Sequence, residues 1–190
     1  MGENTGIVLV LGSVTPPGRL HLALSGALER LRAGGGRGTL IDLGIVDVPF
    51  ADGGSAESLP DGAREALGAV RDADAVILAS PVYRATMTGA LKNFLDLLPL
   101  EALQHKPVGI VAMGATPHHF LGTASHVRDV CAWFGALPAP TDVYLTSSDF
   151  MDGRVSADSE ADLDALVRTM RSLAPLGREG MGPTPLAGRR

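Results

Sequence analysis

A three-layer α/β fold, with a parallel sheet covered by helices on both faces, is predicted by two features of the sequence. Short continuous apolar runs rich in β-branched residues recur along the chain, and stretches with leucines at helical spacing lie between them. Strands that alternate with helices make βαβ units around a parallel sheet. Neither an internal repeat nor a linker divides the 190 residues, a length suited to one domain with its own core. The expected boundaries are a single domain over 1–174 and a flexible, basic, Gly/Pro-rich tail over 175–190.

The first predicted strand is Ile7-Val8-Leu9-Val10-Leu11, which stops at Gly12-Ser13. Leu20, Leu24, Leu28 and Leu31 mark the first helix, ended by Gly34-Gly35-Gly36. Thr39 to Leu43 reads as the second strand, and Val46 to Pro60 as a loop rich in Gly, Ser and Asp. Asp61 to Arg71 forms a helix with Leu67 and Val70 inward, before a third strand, Ala75 to Ala79. Leu91, Phe94, Leu95 and Leu98 define a helix closed by Pro99. Pro107 to Met113 is the fourth strand, His119 to Phe134 a helical stretch, and Thr141 to Leu145 the fifth strand. Leu163, Leu166, Val167 and Met170 line one face of a last helix over Asp158 to Leu173. Five strands and five helices fit the doubly wound class, and the pattern alone leaves flavodoxin and small Rossmann strand orders both open.

Composition removes several classes. The formal charge is −5 with acids and bases interspersed, against a nucleic-acid binder with a clustered basic face. No run reaches the roughly eighteen apolar residues that span a bilayer. The first residues show neither a basic start nor an apolar signal core, so the expected location is cytoplasmic. Cys131 is the single cysteine, which rules out a disulfide within the chain and a cysteine metal cluster. Aromatics are 4% of residues, so a planar ligand would rest mainly on backbone and aliphatic groups.

Ligands of open α/β sheets bind beyond the carboxyl ends of the strands. Three loops there draw notice. Gly12 to Arg19 joins a strand to a helix N-terminus, where free N–H groups favour a phosphate, with Ser13, Thr15 and Arg19 as further donors. It is neither a Walker loop nor Gly-x-Gly-x-x-Gly, which argues against a dinucleotide bound in the Rossmann manner. Gly114-Ala115-Thr116 follows the fourth strand. After the third strand, Ser80-Pro81-Val82-Tyr83 runs into Gly89-Ala90-Leu91-Lys92-Asn93-Phe94-Leu95-Asp96. Here Pro81 holds the chain extended past the sheet edge, and the loop offers backbone N–H and C=O groups to the edge of a heteroaromatic ring.

This last segment resembles the NADPH-dependent FMN reductase family, whose hallmark is a Pro-x-Tyr loop followed by Gly-x-Leu-Lys-x-x-x-Asp. Likeness to the alkanesulfonate-type flavin reductases is dense from Ala73 to Thr116 and weaker from Gly6 to about Leu145. The resemblance implies a flavodoxin-like three-layer sandwich, a five-stranded parallel sheet in the order 2-1-3-4-5. It implies non-covalent FMN, with NADPH or NADH giving a hydride to flavin N5 and no catalytic side chain in that step. By family pattern Ser13, Thr15, Gly18, Arg19 and His21 surround the ribityl phosphate. Pro81, Val82, Tyr83 and Arg84 border the flavin ring, and Gly114, Ala115 and Thr116 meet one of its edges. The small-molecule partners implied are flavin and nicotinamide, the assembly a homodimer or homotetramer, and the user of reduced FMN a flavin-dependent monooxygenase.

Two places depart from the pattern. The phosphate loop of the family is rich in Ser and Asn, where this chain has Thr15, Gly18, Leu20 and His21. The alkanesulfonate type carries an inserted interface tyrosine in the helix after Gly-Gly-Thr, a place that falls here at Ser125 or His126. Other residues have plainer readings. Lys92 and Asp96 lie four apart and pair along a helix. His118 and His119 lack carboxylates at chelating spacing, and Cys131 sits among apolar neighbours as an inert core thiol. His126 reads as a surface imidazole, and Trp133 and Phe134 as core or dimer packing. Arg84 is either a contact for the NADPH phosphate or an exposed loop arginine. Alternative functions stay open: a quinone or azo reductase with a prosthetic flavin, a one-electron carrier, and a relative that has lost flavin.

Overall fold

The computed structural model describes residues 5–15, 17–179 and 182–183. Among the described residues six strands form the parallel sheet, one more than the five expected: β1 (Gly6–Leu11), β2 (Arg37–Asp42), β3 (Ala75–Pro81), β4 (Pro107–Met113), β5 (Leu137–Pro138) and a sixth, β6 (Val143–Leu145). Their order is β2-β1-β3-β4-β5, the flavodoxin-like arrangement, and β6 also pairs with β4. The fifth position of the sheet is therefore shared by two short strands. β5 lies beside the start of β4 (Pro107 opposite Leu137) and β6 beside its end (Met113 opposite Leu145). Pro140 has no N–H to extend the ladder, and the Arg128 guanidinium takes the Ala139 carbonyl at 2.7 Å and the Asp142 carboxylate at 2.6 Å.

The apolar runs are continuous because both faces of the sheet are buried. Ile7, Leu9 and Leu11 point to one core, and Val8 and Val10 to the other, as the two-residue period of a strand requires. The first core is roofed by α1 (Arg19–Ala33) and α5 (Ala157–Glu179), with Leu20, Leu24, Leu28, Leu163 and Met170 inward. On the second face lie α2 (Asp61–Asp72), α3 (Gly89–Leu97) and α4 (Phe120–Phe134), which supply Leu67, Leu91, Phe94 and Cys131. Burial pushes the Cys131 thiol up to about 12, which makes it an inert core group. Phe134 is buried, whereas Trp133 is 58% exposed and meets the Phe134 ring edge-on, so only the second of the two is core. No helix among the described residues is long and apolar enough to cross a membrane.

α5 continues through Pro175 to Glu179, although the composition from Pro175 onward reads as a tail. Tertiary contact explains the extension. Ala174 is buried, and Gly177 sits so close to the turn before β4 that an added Cβ would lie 2.6 Å from the His105 carbonyl oxygen. That packing outweighs the one helical hydrogen bond a proline removes. Residues 180–181 and 184–190 of the expected tail lie outside the described residues.

Lys106, just before β4, caps the end of α2. Its ammonium donates to the carbonyls of Val70 at 2.6 Å and Arg71 at 2.7 Å, where the helix dipole is negative. Burial draws the ammonium down to about 8, opposed by Asp72 and Asp74, so desolvation offsets part of the gain. Lys106→Met is accordingly expected to lower stability by only about 1 kcal/mol, measured by urea unfolding.

Candidate functional site

β1, β3, β4 and β6 run to the same edge of the sheet, and the loops there line a cleft of about 290 Å³. Its first wall is the β1–α1 connection, with Ser13, Thr15, Gly18, Arg19 and His21. Pro81 and Tyr83 form the opposite wall, and Leu11 and Met113, the last residues of β1 and β4, complete it. Leu20 and Pro17 are further lining residues.

α1 begins at Gly18 with no side-chain cap and no acidic residue in its first turn. The first N–H groups of the helix are thus left for a ligand, and the local field favours an anion. Ser13 and Thr15 are hydrogen-bonded to each other at 2.9 Å, and Arg19 is held by Ser147 Oγ at 3.0 Å. Ser147 stands in a 3₁₀ turn closed by a capping box between Thr146 and Asp149. His21 lies between Asp42 at the end of β2, 3.8 Å away, and Ser25 Oγ at 3.4 Å.

The opposite wall rests on an unusual turn. Tyr83 and Thr86 exchange two backbone hydrogen bonds of 2.9 and 3.1 Å around Arg84 and Ala85, whose φ values are 52° and 65°. This is the mirror-image two-residue turn that asparagine and glycine usually occupy, so each of these side chains costs about 1 kcal/mol. The surroundings impose it. Gly122 of α4 presses on the Ala85 carbonyl, and His126 Nδ1 meets Thr86 Oγ1 at 2.8 Å. Beneath the turn, Ser80 Oγ accepts the Thr88 N–H at 3.0 Å, and the Thr88 hydroxyl donates to the Gly12 carbonyl while accepting from Leu91 N–H. One threonine therefore caps α3 and ties the two walls together.

The structure brings together Ser13, Thr15, Gly18, Arg19, His21, Pro81 and Tyr83. Val82 bonds to the Met113 carbonyl at 2.8 Å and, with exposed Arg84, flanks the cleft without lining it. Gly114, Ala115 and Thr116 stand just past Met113 and outside the walls. The Gly114 N–H is taken by the Leu145 carbonyl, and Tyr144 Oη donates to the Thr116 carbonyl at 2.8 Å. Sequence reading missed Met113, Asp42 and Ser147. The first two are last residues of strands, a position that marks them, but nothing local ties Ser147 to Arg19, 128 positions away. Lys92 and Asp96 form the expected ion pair along α3. Among the described residues no cluster of His, Cys, Asp and Glu could hold a metal ion.

Strand order and cleft together define a flavodoxin-like protein whose carboxyl-edge cleft opens at the uncapped start of α1. A family model of the NADPH-dependent FMN reductases matches residues 5–150. The chain is 33% identical over 121 residues to an NAD(P)H-dependent FAD/FMN reductase of Geobacillus thermodenitrificans, covering 64% of this chain and 65% of that protein. It thus spans just under two thirds of that relative's length. It is 30% identical to the NADH-dependent FMN reductase SfnE of Pseudomonas putida, over 83% of this chain and 85% of that protein. Among solved structures it resembles the apo form of the NADH:FMN oxidoreductase EMOB, with a TM-score of 0.75, 26% identity, and coverage of 88% of this chain and 89% of that one. The protein belongs to the NADPH-dependent FMN reductase family.

Proposed function

We propose that the protein is an NAD(P)H-dependent FMN reductase whose flavin occupies the cleft at the carboxyl edge of the sheet. The observation that carries this reading is the pairing of an uncapped helix N-terminus and Arg19 at one wall with the Pro81–Tyr83 segment at the other. The donor set fits a phosphorylated flavin: hydroxyls of Ser13 and Thr15, the first N–H groups of α1 and one guanidinium would hold the phosphate. Pro81 and the half-exposed Tyr83 would border the ring. FMN bound there would supply the hydride chemistry, with NADPH or NADH as the reductant. The chain's own part is to bind, orient and shield, since the step needs no acid or base from the protein.

The reading extends to release of reduced FMN for a flavin-dependent monooxygenase, which the scarcity of hydroxyls in the phosphate loop supports. A cytoplasmic location and a homodimer or homotetramer go with it. The groove between α3 and α4, where Trp133 is exposed beside Asp129 and Lys92, is a suitable contact face. The test is steady-state oxidation of NADH and NADPH with FMN varied, together with the visible spectrum of the purified protein. A colourless protein whose rate saturates with added FMN is the expected result. A yellow protein indifferent to added FMN would turn the search to quinones and azo dyes as acceptors, and no oxidation at all would sink the enzyme reading.

A further inference from the structure

The phosphate wall has too few fixed charges for its ligand. A phosphate monoester carries about −1.5 to −2 near neutral pH. Of the described residues lining the cleft, only Arg19 and His21 can carry positive charge, and none is acidic. Arg19 supplies one full charge. Among the described lining residues, the second can come only from His21.

What stands behind His21 points the same way. The Asp42 carboxylate lies 3.8 Å from Nε2, its side chain 10% exposed, and its other oxygen accepts the Gly44 N–H at 2.8 Å. A carboxylate fixed this close to a phosphate site would repel the ligand unless a cation stood between them. At 3.8 Å to Asp42 and 3.4 Å to Ser25 Oγ, neither ring nitrogen is held at ordinary hydrogen-bond length, so a donor remains to be spent. The charged and titratable groups facing the ring are Arg19 and Asp42, with Tyr83 across the cleft.

We propose that His21, backed by the Asp42 carboxylate, is the second cation of the phosphate site, so that phosphorylated flavin is preferred over riboflavin. This rests on the FMN reading and deepens it. Asp42 is then a positioning residue whose own charge opposes the ligand whenever the imidazole is absent.

The test is titration of the purified full-length protein with FMN and with riboflavin, followed by flavin fluorescence. His21→Gln is expected to weaken FMN binding about tenfold, the worth of one charge-assisted hydrogen bond, and to leave riboflavin unchanged. Asp42→Asn, which keeps an oxygen for Gly44, weakens FMN binding in the wild-type background and strengthens it in the His21→Gln background. A merely structural pair would show no such reversal of sign. An unchanged ratio of FMN to riboflavin affinity in His21→Gln overturns the inference and leaves the FMN reading standing. If neither flavin binds the wild-type protein, both fall together.

Discussion

Gly122→Ala is expected to lower flavin-dependent NAD(P)H oxidation about 100-fold while shifting the melting temperature by no more than a few degrees. The added Cβ would lie 1.8 Å from the Ala85 carbonyl oxygen and 2.9 Å from its carbon, contacts with backbone that no rotamer change can relieve. Either α4 or the Tyr83–Thr86 turn has to move. α4 is anchored by buried Val127, Cys131 and Phe134, whereas Tyr83, Arg84 and Ala85 are exposed and already held at unfavourable φ. The turn therefore gives way and takes the Pro81–Tyr83 wall with it. If the flavin lies against this wall as proposed, a displacement near 1 Å is enough for a loss of this size. Wild-type rates in this variant would mean that the turn does not position the flavin.

Thr88→Val tests the tie between the walls and is expected to cost about 3 kcal/mol of stability. The valine matches the threonine in shape, so packing is kept and only the hydroxyl goes. Loss of a helix cap contributes about 1–2 kcal/mol, and leaving the Gly12 carbonyl without its buried donor adds about the same again. Thr88 is 3% exposed, so water cannot replace the lost partner. Urea unfolding should show a lower midpoint with the slope unchanged, and Thr88→Ser, which retains the hydroxyl, should lose less than half as much. Equal losses in the two variants would show that the methyl group, not the hydrogen bonds, carries the stability.

How much of this was written locally differs from element to element. β1, β3 and β4 were legible because burial on both faces turns a strand into an unbroken apolar run. Four of the helices ran close to their expected spans, since leucine spacing and caps are local signals. The hairpin of β7 (Phe150–Met151) and β8 (Arg154–Val155) went unforeseen, although its Asp152-Gly153 turn, with φ of 51° and 72°, is a strong hairpin signal. Strands of two residues are too short to show a period. The candidate site was legible where it follows directly from strand ends, as at Ser13, Arg19, Pro81 and Tyr83.

The sequence by itself determined the class of fold, the positions of the two loops that face each other across the cleft, and, through the Pro-Val-Tyr and Gly-Ala-Leu-Lys segments, the family. Those features depend on residues near one another in the chain. Only the tertiary structure decided that the fifth strand divides around Arg128, that α5 runs past Pro175, that Arg19 is held from Ser147, and that Asp42 stands behind His21. Each is a contact between different elements of the fold. Its strength comes from burial and geometry that local propensity does not encode.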